Sequence, residues 1–158
     1  SIEAACAGEE EARANMLLGA FYGGVAIAAS GTTAVHALSY PLGGKYHVPH
    51  GVSNAMLLYP VMEFNKDAIE PRLAEVYDGV FGAGSALTRA QKADAVIREI
   101  SRIVRSLDIP EKLSAYVSNA REELDTLVDS AFEVKRLLNN NVKPLSKADI
   151  RNIYMTLM

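Results

Sequence analysis

Cysteine occurs once, at Cys6, tryptophan is absent, and neither sign of charge is in large excess. With a single thiol no intramolecular disulfide forms and a cysteine-rich zinc site is excluded, so a reducing compartment, the cytoplasm, is the expected location. Lys and Arg number 16 against 19 Asp and Glu, for a net charge of −3 with histidine neutral. That balance offers no electrostatic footprint for a nucleic acid. Gly (11) and Pro (6) are at ordinary levels, which excludes collagen-like and low-complexity classes. An initiator Met, a basic leader and an uninterrupted apolar run ahead of Glu9-Glu10-Glu11 are also missing. No export signal is expected, and the start reads like the interior of a longer polypeptide.

What is present is 49% apolar residues in a chain of 158, enough for one globular domain around one core. Met16 to Val35 is an uncharged stretch of bilayer-spanning length, but Gly, Ala, Ser and Thr make up most of it. No lipid-facing run of large apolar groups stands out, so a buried central helix is expected there and no membrane partner.

Helical periodicity dominates the chain, no segment shows bounded β-branched alternation, and no internal repeat is found, so the fold class is all-α, a multi-helix bundle. Glu9 to about Leu38 reads as one or two helices, bent or broken at Gly23-Gly24. Pro41-Leu42-Gly43-Gly44 reads as a helix break, with a second helix from near His50 to about Phe64 kinked at Tyr59-Pro60. Thr88-x-x-Gln91 has capping-box form ahead of a stripe of Val96, Ile97, Ile100, Ile103, Val104 and Leu107, stopped at Asp108-Ile109-Pro110. Asn119-x-x-Glu122 opens a candidate helix with Leu124, Leu127, Val128, Ala131 and Phe132 inward, closed by Asn139-Asn140-Asn141. Ser146-x-x-Asp149 opens the last, with Ile150, Ile153, Tyr154 and Leu157 inward.

All 3 histidines fall between positions 36 and 50. His36 and His50 are 14 residues apart, which on one straight helix is about 21 Å, too far to share a cation. A turn between them, assigned to Pro41–Gly44, lets them converge, and their imidazoles suit divalent iron, zinc, copper or nickel. Two ligands alone leave a coordination shell incomplete. His47, beside Lys45 and Tyr46, reads as a solvent-facing loop residue.

These residues sit in G31-x4-H36-x4-P41-L42-G43-G44-x4-P49-H50-G51-x2-N54-A55. The pattern resembles the second signature of the iron-dependent (group III) alcohol dehydrogenases, and the likeness extends through LLYPVMEFN to the helix ending near Tyr154. The resemblance implies that 1–158 is the C-terminal helical portion of such an enzyme, with His36 and His50 as two metal ligands. It further implies an NAD(P)-dependent oxidoreductase interconverting an alcohol and an aldehyde or ketone, its divalent metal iron, with zinc as the alternative. A homo-oligomer is the family's habit. Gly51 and Asn54 fit backbone approach and orientation of a neighbouring group, or a structural role.

Where many members have a further histidine, four residues after the first ligand, this chain has Tyr40, read as an aromatic wall of the pocket and not as a catalytic base. Tyr59-Pro60 inverts the usual Pro-first order. Absent altogether are the N-terminal dinucleotide-binding domain with its Gly-rich phosphate loop and the family's upstream Asp and His ligands. Gly23-Gly24 and Gly31 do not form G-x-G-x-x-G and read as helix-packing glycines. The expected partners are therefore that missing dinucleotide-binding domain and a small alcohol or aldehyde, NAD or NADP is bound mainly by the missing part, and the isolated chain is expected to be inactive. The competing readings are a non-enzymatic helical binding or assembly module that keeps the motif, and a zinc-dependent polyol dehydrogenase relative.

Overall fold

The computed structural model describes residues 1–84 and 86–158, and within them the chain is all-helical with no strand. In chain order the helices are α1 (Ile2–Cys6), α2 (Glu10–Ser30), α3 (Ala34–Tyr46), α4 (His50–Phe81), α5 (Arg89–Ser106), α6 (Leu124–Phe132), α7 (Lys135–Leu138) and α8 (Lys147–Met155). A single 3-10 turn, Leu113–Ala115, lies between α5 and α6.

Two of the sequence signals translate directly. Thr88 accepts from the Gln91 N–H and Gln91 reaches back to the Thr88 N–H, a closed capping box at the start of α5. Ser146 and Asp149 repeat the exchange at α8, and hydrogen bonds from the Ser146 hydroxyl and backbone N–H hold the Asp149 carboxyl below its ordinary range. Ile150, Ile153, Tyr154 and Leu157 are all buried, as the stripe on α8 predicts.

Instead of one core there are two apolar clusters. The larger is built from α3, the first half of α4, the 3-10 turn, α6, α7 and α8, around Leu38, Leu42, Leu57, Val61, Leu113, Leu127, Ile150 and Tyr154. The smaller joins the second half of α4 to α5 through Leu73, Ala93, Val96 and Ile97. Ion pairs between Lys92 and Asp78 (2.6 Å), Lys66 and Asp94 (3.0 Å) and Arg89 and Glu70 (3.0 Å) line the same seam. Two clusters arise because α4 does not end near Phe64. It runs to Phe81 through Pro60 and Pro71 and so projects past the main core.

Pro41-Leu42-Gly43-Gly44 is likewise not a break but lies inside α3. An internal proline costs a helix about 3 kcal/mol. Here Ala37, Leu38 and Leu42, which flank it, are all fully buried, and burial of a leucine side chain contributes about 1.5–3 kcal/mol each. Tertiary packing therefore outweighs local propensity. The Tyr154 hydroxyl also donates to the Leu38 carbonyl at 2.6 Å, tying α8 to α3 one turn before the proline. Burial pushes that phenol far above its ordinary pKa, so it stays a donor.

The reversal comes instead at residues 47–49. His47 caps α3 in the left-handed conformation (φ 56°), Val48 is buried beneath it, and Pro49 opens α4. Upstream, Gly23-Gly24 lie within an unbroken α2, and the break falls after Ser30, where α2 and α3 meet at 105°. Gly31 takes φ 72°, ψ −172°, backbone essentially reserved for glycine. The candidate helix from Asn119 begins only at Leu124 and stops at Phe132, with α7 a separate turn.

Among the described residues no single helix is long and apolar enough to cross a membrane; only the bent pair α2–α3 passes by length and composition. The expected burial of α2 is overturned, for Ala12 is its only buried residue.

Both tertiary devices around the reversal can be weighed by substitution. Tyr154→Phe removes one buried hydrogen bond and is expected to lower stability by about 1 kcal/mol, read as a shift in the urea midpoint at unchanged slope. His47→Gly relieves a left-handed non-glycine residue and is expected to raise stability by about 0.5–1 kcal/mol in the same measurement.

Candidate metal centre

The 47–49 reversal sets the first residue of α4 beside the first turn of α3. His36 is half-buried and His50 exposed, and their ring centroids lie 5.3 Å apart at an interplanar angle of 57°. A cation about 2.1 Å from one nitrogen of each ring, with tetrahedral ligand angles, requires ring centres roughly 5 Å apart, and the observed separation matches that spacing. Burial first, and the neighbouring His50 second, lower the pKa of His36 below the ordinary histidine value, which favours the neutral, ligating form.

Each backbone is pinned in the same way. The Ser39 hydroxyl donates to the His36 carbonyl and the Ser53 hydroxyl to the His50 carbonyl, both at 3.0 Å. Both serines are buried. Neither stands out from the sequence alone, although the signal is there as a repeated His-x-x-Ser. Asn54, one turn after His50, has its amide nitrogen 2.9 Å from His50 Nε2. Its Oδ1 is buried and unpartnered among the described residues, and a flip of the amide places oxygen where nitrogen stands, as the acceptor of an Nε2–H.

Tyr40 lies with its exposed ring 6.4 Å from that of His50, one wall of the same open corner. His47 is the exposed cap residue of α3. Gly51 is an open helical position where an added Cβ would meet nothing, so no close backbone approach requires glycine within this chain. No group of three or more His, Cys, Asp or Glu suited to a cation occurs among the described residues. Within them the corner offers two imidazoles and no third ligand.

Asn140, expected only to end a helix, instead supports the corner. Its side-chain amide donates to the Ser30 carbonyl at 2.7 Å and the Thr32 carbonyl at 3.2 Å, fixing the bend that leads into His36. A Cβ on Gly31 would stand 3.0 Å from that amide. The first glycine of the motif is thus required by its backbone angles, and a Cβ there would also press on the Asn140 amide.

The family model described as Fe-containing alcohol dehydrogenase family, C-terminal, matches residues 1–158. The chain belongs to that family. It is 36% identical over 146 residues to a long-chain-alcohol dehydrogenase 1 of Geobacillus thermodenitrificans, covering 92% of this chain and 37% of the relative. It is 32% identical over 145 residues to a 4-hydroxybutyrate dehydrogenase of Clostridium kluyveri, covering 90% of this chain and 38% of that protein. Among solved structures, an alcohol dehydrogenase from Oenococcus oeni superposes with a TM-score of 0.70 at 26% identity over 80% of this chain and 32% of its own. The chain therefore spans little more than a third of the relatives it matches, and the all-helical fold is that of their C-terminal portion.

Gly31→Ala is expected to destabilise the chain by about 1–3 kcal/mol. The same change should loosen the α2–α3 bend, seen as faster amide exchange at Thr32 and Thr33.

Proposed function

We propose that this chain is the C-terminal, metal-holding portion of an NAD(P)-dependent oxidoreductase that interconverts an alcohol with an aldehyde or ketone. The observation that carries the reading is the convergence of His36 and His50 to a 5.3 Å ring separation across a reversal, inside the matched motif. Relatives that are themselves named as dehydrogenases of long-chain alcohols and of 4-hydroxybutyrate support the reaction class.

His36 and His50 would supply half of a four-ligand set, the rest coming from the polypeptide ahead of this region. Imidazole donors suit both iron and zinc; the family's description favours iron. Held by His36 and His50 with the remaining ligands, a divalent cation would supply Lewis-acid stabilisation of negative charge for a hydride-transfer reaction. The chain's own residues do the positioning. Ser39 and Ser53 hold the two histidine backbones, Asn54 holds the His50 ring, and Tyr40 closes one side of the corner with an aromatic face. Tyr40 also carries a hydroxyl able to donate a hydrogen bond at that wall. The nicotinamide cofactor is bound mainly by the dinucleotide-binding domain outside this chain.

The test uses the full-length polypeptide. His36→Ala and His50→Ala are each expected to lower metal affinity at least 10–100-fold and to abolish alcohol oxidation with NAD or NADP; unchanged turnover in both rejects the reading. The isolated 158-residue chain, with two imidazoles only, is expected to bind iron or zinc weakly and to show no dehydrogenase activity.

A further inference from the structure

Helix α2 has no partner adequate to its composition. It is 21 residues long, yet only Ala12 is buried, while Leu17 is 75%, Phe21 64% and Tyr22 63% exposed. No Asp, Glu, Lys or Arg follows Arg13 before Lys45. Leu17, Phe21 and Val25 occupy one side and Ile27 with Ala20 another, so no polar face exists to meet water. A helix apolar on every side is one that is enclosed.

Its glycines say the same. Gly19, Gly23 and Gly24 each cost an exposed helix about 1 kcal/mol relative to alanine. A Cβ at any of them would meet nothing within 4 Å, so nothing in this chain asks for glycine there. Gly19 and Gly23, four residues apart, leave one side of the helix bare for close backbone approach. The rest of the chain secures α2 near its ends, through Asn140 at Ser30 and, by way of α1, through the ion pair of Glu3 with Arg102.

We infer that α2 is the docking surface for the portion of the polypeptide that precedes this region in the full-length enzyme, which encloses it on all sides with a helix crossing closely at Gly19 and Gly23. That such a portion precedes the chain follows the reading of the preceding subsection; that α2 is what it wraps is read from α2 itself. The matched relatives are about two and a half times as long as the aligned segment, which covers 37–38% of them, so the missing mass suffices. Two other occupants fit worse. A second copy related by a two-fold axis covers one face of a helix, and not its whole circumference. A membrane would need a span: no single helix qualifies among the described residues, and the bent pair α2–α3 that passes by length and composition has Ala37, Leu38 and Leu42 of α3 buried in the larger apolar cluster. Moreover α2 ends at Ser30, six residues before His36, so whatever encloses α2 also comes up to the approach to the two-histidine corner.

The experiment places single cysteines on both sides of α2 in the full-length polypeptide carrying Cys6→Ser. Val25→Cys probes the bulky side and Ala26→Cys the glycine side, each reacted with a water-soluble maleimide in the native and the urea-unfolded protein. Both are expected to react at least 100-fold more slowly when native. Reaction at the unfolded rate overturns the proposal. So does protection that disappears on dilution together with a fall in oligomer mass, or that appears only when phosphatidylcholine vesicles are added. Gly23→Leu provides a second readout: it is expected to lower the thermal midpoint of the full-length protein, whereas an equal or higher midpoint overturns the close crossing. Metal content of His36→Ala in the same background separates the two readings. Protection with unchanged metal content rejects the metal assignment alone, and loss of metal with reactive cysteines rejects the docking surface alone.

Discussion

The chemistry proposed for this chain depends on one backbone constraint, the three-residue reversal from α3 into α4. Without it His36 and His50 stand about four helical pitches apart, roughly 21 Å along a single rod; with it their rings lie 5.3 Å apart. The reversal is held from below and not by its own residues. Val48 is buried at its centre, Leu38 and Leu42 are fully buried on the α3 side, and Leu57 and Val61 on the α4 side. Tyr154 reaches from α8 to the Leu38 carbonyl, while Lys45 and Tyr46, at the end of α3, bond the Glu123 carboxylate ahead of α6. Lys45 and then Tyr46 hold that carboxyl below its ordinary pKa. The residues nearest the histidines are thus braced from several elements at once, as the proposed ligand pair would require.

Which of these features are legible in the sequence follows from how local each signal is. A capping box is an exchange between residues three apart, and both boxes, Thr88-Gln91 and Ser146-Asp149, form. The stripe on α8 is likewise local and is buried as expected. The convergence of His36 and His50 is legible too, but through the wrong residues. Pro41 and the Gly43-Gly44 pair have the lowest helix propensity in the segment, yet the turn falls at His47, which takes a left-handed conformation that glycine adopts far more readily. Propensity concerns about 1 kcal/mol per glycine and 3 per proline, and the two flanking leucines, buried against other helices, offset it. No window of sequence around Pro41 contains α6, α7 and α8. For α4 beyond Phe64 the polar run is helical because Leu73 packs with Val96 and Ile97 of the next helix, α5, which no single helical window includes.

The disagreement at α2 has the opposite origin. Its composition is that of a buried helix, and in this chain it is exposed along almost its whole length. Composition here reports the environment of the whole polypeptide, while the fold of this chain is that of a little over a third of its relatives' length. The contrast is informative: the long helices α3, α4 and α5 each bury part of an apolar stripe against a neighbour, and α2 buries a single alanine. The family match and the unclaimed helix then describe one division, in which α3 to α8 pack among themselves in two apolar clusters and α2, on the inference above, belongs energetically to what lies upstream.

That division bears on how the two histidines acquire a cation. Each has its backbone carbonyl fixed by a buried serine three residues on, so the main chain at both positions is set by this core alone. The ring of His36 is half-buried, and that of His50 is exposed with a hydrogen-bond contact to Asn54. One end of the Asn54 amide, the oxygen as placed or the nitrogen after a flip, is buried without a partner among the described residues, and an unsatisfied buried polar group costs about 1–3 kcal/mol. The core therefore delivers a correctly placed backbone and leaves polar capacity around the rings unfilled. Completion of the coordination shell and enclosure of α2 both draw on the same preceding segment, because α2 ends where the approach to His36 begins. On the proposed reading, metal affinity and the stability of α2 would be coupled through that one docking event.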